Sequence, residues 1–111
     1  MEMKVISMEG NEGVTDTITK EQLDKYFSVT NEALEMVKSH EMDPDRLENA
    51  TDFLDMAQRY YNDAKHFAEK KNRVLALSAL NYAHGWLDAG ARIGLFKVHD
   101  SRLFTVDEKG K

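Results

Sequence analysis

The feature that most constrains the fold of this chain is an apolar period of three and four residues, which recurs in three separate stretches. This period places apolar side chains on one face of an α-helix. The first stretch begins at Thr19, where Gln22 three residues later completes a capping box. Asp43 and Pro44 open the second stretch as an N-cap and a first helical residue. The third stretch runs from about Arg73 to Leu95, and we expect Asn72 to cap its start and Gly94 to be able to end it.

The third stretch is the most informative because small and large side chains occupy separate lines along its helix. The small residues on one line are Ala76, Ala79, Ala83 and Gly90. The flank on one side of that line consists of Leu75, Tyr82, Trp86 and Ile93, and the other flank consists of Leu77, Leu80 and Leu87. A line of small residues lets backbones approach, and we expect the two flanks to fill grooves against two neighbouring helices. The sequence therefore predicts an all-α fold, a three-helix up-and-down bundle.

Weaker patterns lie on either side of the bundle. We expect residues 1–18 to form a flexible N-terminal extension, irregular or with a short strand at Lys4 to Met8. Residues 19–96 then form the bundle, and residues 97–111 form a C-terminal arm. The arm is predicted either as two short extended runs around a turn or as a segment lying back over the bundle.

Composition excludes several classes of protein. The chain has no cysteine, so disulfides and thiolate metal sites are excluded. The formal net charge of −5 argues against nucleic-acid binding, which needs clustered lysine and arginine. No apolar run approaches the roughly 20 residues that span a bilayer, and the first residues lack the apolar core of a secretory signal. We therefore expect a cytoplasmic protein that does not act at a membrane.

The polar face of the third helix carries the candidate binding residues, which are His84, Gly85, Asp88 and Arg92. Arg92 and His84 would donate hydrogen bonds to an anionic ligand or a partner. Asp88 precedes Arg92 by four residues, the favourable order for an ion pair on a helix, and His84 could donate to Asp88. A mid-helix glycine costs about 1 kcal/mol relative to alanine. Gly85 therefore indicates a close approach by a partner, a ligand or the C-terminal arm, of which we favour the arm. The alternative is a solvated face with an ordinary ion pair.

We predict no catalytic residue, no cofactor and no metal site, because the histidines do not stand at ligand spacings. The leading interpretation is a small helical binding or protein-interaction module, which leaves open a protein partner or self-association through aromatic side chains such as Tyr60. One alternative is a metal-independent helical ribonuclease, in which Arg59 holds a phosphate and His66 moves the proton. Another is a small-ligand pocket between the bundle end and the arm, near Tyr82 and Trp86.

The run from Asn81 to Phe96, NYAHGWLDAGARIGLF, resembles the hallmark helix of an archaeal family known as domain of unknown function 357. The run YYNDAKHF, from Tyr60 to Phe67, resembles the second helix of that family, and LFTV, from Leu103 to Val106, resembles its tail. The resemblance covers roughly residues 19–107. It implies the same up-and-down bundle of three helices, and it transfers no catalytic residue because no activity is established for the family.

Overall fold

A computed structural model describes residues 16–106 of the chain, and its main elements are three α-helices. These are α1 (Lys20–Ser39), α2 (Leu47–Glu69) and α3 (Arg73–Arg92), with a short 3-10 turn at Pro44–Arg46 before α2. In this part of the chain no strand forms, and the only β-type pairing is an isolated bridge between Met42 and Phe96. The predicted all-α fold is confirmed. The predicted short strand from Lys4 to Met8 lies outside the described residues.

Two of the three helices, α1 and α3, begin where their capping signals place them. The third, α2, begins at Leu47, three residues after the predicted start at Pro44, because Pro44 opens a 3-10 turn instead. The Thr19 hydroxyl accepts from the Gln22 amide at 3.0 Å, and the Gln22 side chain accepts from the Thr19 amide at 2.9 Å. This reciprocal pair is the predicted capping box, and it satisfies backbone donors that a helix start leaves unpaired. At α3, the Asn72 side chain accepts from the Leu75 amide at 3.1 Å. The Asp43 carboxylate accepts from the Asp45 amide at 3.0 Å and so caps the 3-10 turn.

The last helix ends at Arg92, three residues before the predicted end at Leu95. Gly94 has a φ of +82°, a left-handed conformation that turns the chain back on itself. The amides of Leu95 and Phe96 then both donate to the Gly90 carbonyl, at 2.8 and 3.3 Å. Gly94 therefore reverses the chain and returns two large apolar side chains to the core.

Contacts at the two ends of the bundle fix the directions of the helices. At one end, the Arg73 guanidinium donates to the Ile18 carbonyl at 3.2 Å, which joins the start of α3 to the start of α1. At the other end, the Asp43 amide donates to the Leu95 carbonyl and the Lys97 amide donates to the Glu41 carbonyl, each at 2.9 Å. The helices α1 and α3 therefore run parallel, and α2 runs antiparallel to both, as an up-and-down bundle requires.

The core confirms the small-residue line of α3 but only one of its flanks. Ala76 and Ala83 are fully buried, as are Ala57 and Ala64 of α2, and Leu87 on one flank is also fully buried. On the other flank Tyr82 is 53% exposed, and Leu75 and Ile93 are similarly exposed. The expectation that both flanks fill grooves is therefore met only in part: Trp86 on this flank is half-buried and packs against Phe53 of α2, but the other three side chains stay largely exposed.

Residues 97–106 of the C-terminal arm lie back over the bundle, which is one of the two predicted arrangements of the arm. Residues 97–100 are irregular, residues 101–106 form a turn and bends, and none of them lies in a strand. Leu103 and Phe104 are fully buried, and Val98 is 1% exposed, in the same core as Leu34 and Leu87. Because these side chains have no contact with water, the arm is a structural part of the bundle.

None of the helices in residues 16–106 combines the length and the apolar character that crossing a membrane requires.

Candidate functional site

His84 on α3 links the first helix to the C-terminal arm. Its Nδ1 lies 3.1 Å from the Thr30 hydroxyl of α1, and its Nε2 lies 2.7 Å from the Leu103 carbonyl. A carbonyl only accepts, so Nε2–H is the donor to Leu103, and in the neutral imidazole Nδ1 then accepts from Thr30. Both ring nitrogens of this predicted donor therefore bind groups of the chain itself.

Asp88, one turn after His84, holds the next part of the arm. Its carboxylate accepts from the Thr105 amide and, at 2.7 Å, from the Thr105 hydroxyl. The expected ion pair with Arg92 and the expected bond from His84 do not form among residues 16–106, because Thr105 occupies the carboxylate. Two of the four candidate residues are thus engaged in holding the arm against α3.

Gly85 faces solvent between these two anchors. A Cβ built at this position would have no neighbouring atom within 4 Å among the described residues. Adjacent residues of an α-helix point about 100° apart, so the arm can contact His84 without covering Gly85. Residues 97–106 of the arm therefore do not approach Gly85, and for this part of the arm the expectation is wrong.

Arg92 lies at the mouth of a cavity between the end of α3 and the arm. The cavity has a volume of about 140 Å³. Its lining consists of Ala91, Arg92, Ile93, Gly94, Phe96, Lys97, His99 and Val106. Arg92 is the one predicted site residue that lines it, and the structure adds Lys97 and His99, which were not predicted.

The sequence did contain a signal for those two additional residues. Phe96 and Val98 are each 1% exposed, whereas Lys97 and His99 are exposed. Alternating burial of this kind is typical of an extended segment, in which every second side chain points to the same side. A helix-ending glycine followed by alternating apolar and polar residues therefore predicts that Lys97 and His99 lie on the same side of the chain, beside the end of α3.

The charges around the cavity are mainly positive. Among residues 16–106, no hydrogen bond or ion pair engages the side chains of Arg92, Lys97 or His99, and no aspartate or glutamate lines the cavity. The charge of Lys97 acts on Asp43, whose pKa is lowered first by its hydrogen bond from Arg46 and also by Lys97. The cavity therefore presents unpaired donors to whatever enters it.

A family model described as protein of unknown function (DUF357) matches residues 25–96 of the chain. The match covers well over half of the 111 residues and includes nearly all of the bundle. The chain belongs to this family. No curated protein and no solved structure matches the chain. The DUF357 match includes Arg92 but ends at Phe96, so Lys97, His99 and the tail-like run from Leu103 to Val106 lie beyond the matched range.

The residues of the predicted ribonuclease alternative are on α2 of this DUF357 chain, away from the cavity. Arg59 is exposed and forms an ion pair with Asp55, with 2.9 Å between Nε and Oδ2. His66 is exposed and its ring lies against Phe67. A separation of seven residues along a helix corresponds to about 10 Å, so neither side chain holds the other in place. No observation among the described residues favours this alternative.

Tyr82 and Trp86, the predicted pocket residues, pack against aromatic side chains of α2 instead of lining the cavity. Tyr82 meets Tyr60 edge to face at 4.4 Å between ring centroids, and Trp86 meets Phe53 at 4.9 Å. Such T-shaped pairs contribute about 0.5–1.5 kcal/mol beyond the area they bury. This aromatic row lies on the side of α3 away from α1. A protein partner or self-association through it stays a prediction.

No three histidine, aspartate or glutamate side chains converge within residues 16–106 in a way that could hold a metal ion.

Proposed function

We propose that this chain is a small cytoplasmic helical binding module without catalytic activity, and that it binds an anionic ligand in the cavity at the end of α3. One observation carries the proposal. Arg92 and Lys97 are positively charged, the His99 ring adds polar nitrogens, and no carboxylate of residues 16–106 lines the cavity. The chain as a whole has a net charge of −5, so an open cavity with this lining is a locally positive site on a negatively charged protein, and it attracts anions.

The proposal gives His84 and Asp88 a supporting role. They hold Leu103 and Thr105 of the arm against α3, and the arm supplies His99 and Val106 to the cavity. Arg92 is then the member of the predicted polar face that meets the ligand. Its planar guanidinium suits a carboxylate or phosphate because two parallel N–H groups can bind two oxygens.

The carboxyl end of a helix normally repels anions, because its last carbonyls carry partial negative charge. Here these carbonyls already have donors. The Gly90 carbonyl accepts from two backbone amides, and the Ile93 carbonyl accepts from Arg46 Nη2 at 2.8 Å. The guanidinium of Arg46 is also paired with Asp43, with 2.7 Å between Nε and Oδ2, so it satisfies this carbonyl without adding a net charge. These hydrogen bonds reduce the repulsion that opposes the proposal.

The proposal is tested by titrating the ¹⁵N-labelled full chain with acetate, benzoate and inorganic phosphate while recording amide shifts. We expect saturable shifts at residues 94–99 with at least one of these anions. Arg92→Gln should weaken that binding at least tenfold. The matched control is Arg59→Gln, which removes the same charge from an exposed arginine on α2 and should leave binding unchanged. Absence of saturable binding, or equal binding by Arg92→Gln, would overturn the proposal.

A further inference from the structure

The size of the cavity limits its ligand to a small molecule. A cavity of about 140 Å³ is close to the engineered cavity of about 150 Å³ that takes up benzene. Pockets for drug-sized ligands and nucleotides have volumes of about 300–1,000 Å³. The cavity therefore has room for an apolar body of about six carbon atoms or fewer, with its polar group at the mouth.

The walls combine two kinds of chemistry. The apolar part includes Ile93, Phe96 and Val106. The polar part consists of the cations Arg92 and Lys97 and the imidazole of His99. Inorganic phosphate would place strongly hydrated oxygens against the apolar walls, which is unfavourable. A neutral hydrocarbon would leave the guanidinium without an acceptor. A molecule with one acidic group and an apolar body matches both parts.

The charge near the cavity favours a single negative charge on that molecule. The antiparallel bridge between Met42 and Phe96 brings Asp43 near Lys97, and the Lys97 charge helps to lower the pKa of Asp43, so part of the lysine charge is already balanced within the chain. Arg92 is left as the strongest unpaired cation, and its forked donors match one carboxylate. A dianion would need a second full positive charge, whereas the charge of Lys97 is already partly balanced by Asp43.

We infer, building on the proposed function, that the ligand is a small monocarboxylate whose flat or branched apolar body of about six carbons lies against Ile93, Phe96 and Val106 while its carboxylate meets Arg92. Each further CH₂ group that becomes buried strengthens binding roughly fourfold. The carboxylate sets the orientation, and the apolar walls set the selectivity. This ligand class explains why a cationic cavity has an apolar wall.

The inference is tested by comparing four probes in the same amide-shift titration of the full chain. Benzoate carries both features, acetate carries the charge alone, benzyl alcohol carries the ring alone, and inorganic phosphate carries a higher charge. We expect benzoate to bind at least tenfold more tightly than each of the other three. Equal binding of acetate, phosphate and benzoate would overturn this inference and leave the proposed function standing. Binding of benzyl alcohol as tight as that of benzoate would overturn both, as would no binding at all.

A pair of variants tests the apolar wall separately from the charge. Ile93→Ala should weaken benzoate binding at least threefold and leave acetate binding within twofold. Ile93 is 52% exposed, so the substitution leaves the core intact. Leu75→Ala is the matched control on the same flank of α3, and it should change neither affinity. Unchanged benzoate binding by Ile93→Ala would contradict the assigned contact with the apolar wall.

Discussion

Two glycines on α3 allow one prediction to be made with an internal control. Gly85 and Gly90 both lie within the helix, so replacing either by alanine brings a similar gain in helix propensity, about 0.5–1 kcal/mol. Their surroundings differ. A Cβ on Gly85 would meet nothing within 4 Å, whereas a Cβ on Gly90 would overlap the ring of Phe96, with Cδ2 at 2.7 Å and Cζ at 3.0 Å.

The magnitudes follow from this difference. Gly85→Ala should raise the free energy of unfolding by about 0.5–1 kcal/mol, which corresponds to roughly 4 °C in Tm. In Gly90→Ala the Phe96 ring must move, and it is only 1% exposed, so it has little room. Overpacking of this kind costs about 1–3 kcal/mol. The net effect of Gly90→Ala should be a destabilisation of up to about 2 kcal/mol, since the propensity gain offsets part of that cost.

The assay is urea unfolding of both variants, monitored by far-UV circular dichroism and compared at unchanged slope m. The difference between the two variants isolates the contact with Phe96, because the propensity gain is common to both. A second measurement adds Phe96→Leu, which makes room for the new methyl group. The double variant of Gly90 and Phe96 should be more stable than the sum of the two single changes predicts. Equal stabilisation by both alanine substitutions would refute the close packing of Phe96 on Gly90.

Two further predictions concern the attachment of the arm. Asp88→Ala should lower the free energy of unfolding by about 2 kcal/mol, because the Thr105 amide and hydroxyl lose a charged acceptor. Amide hydrogen exchange at Thr105 should accelerate, and an unchanged exchange rate would contradict the contact. The hydrogen bond from Arg102, more than its charge, lowers the pKa of Glu32, so Glu32 stabilises the fold above the ordinary glutamate pKa of about 4.3. This contribution is lost as the pH falls through the lowered folded value. Glu32→Gln should therefore be less stable than wild type at pH 7. Urea unfolding at a series of pH values should show that the difference in free energy of unfolding shrinks as the pH falls. A difference that does not change with pH would contradict this prediction.

The parts of the fold that depend on neighbouring residues in sequence could be predicted. The capping box at Thr19 and Gln22 and the Asn72 cap each involve residues only three positions apart. The small-residue line of α3 follows from the helical period alone. The predicted end of α3 at Leu95 lies three residues beyond the observed end at Arg92. The pattern marks Gly94 as a possible end but cannot show that its left-handed φ reverses the chain.

The parts that depend on distant residues could not be predicted. The helical spacing paired Asp88 with Arg92, four residues away, but its observed partner is Thr105, which is 17 residues away. An exposed pair at this spacing contributes only about 0.2–0.5 kcal/mol, and a carboxylate that accepts from both a backbone amide and a hydroxyl gains more. The path of the arm, which also brings Arg102 to Glu32 across 70 positions, therefore overrides the local rule.

The arm also changes how the polar face of α3 has to be tested. His84 and Asp88 hold Leu103 and Thr105, so substituting either anchor disturbs the segment that brings His99 and Val106 to the cavity. Loss of binding in such a variant would follow equally from a lost ligand contact and from a displaced arm. Arg92 makes no contact with the arm among the hydrogen bonds and ion pairs of residues 16–106. A loss of binding confined to Arg92 variants, with the arm still protected from hydrogen exchange, is therefore the result that separates a ligand contact from a structural one.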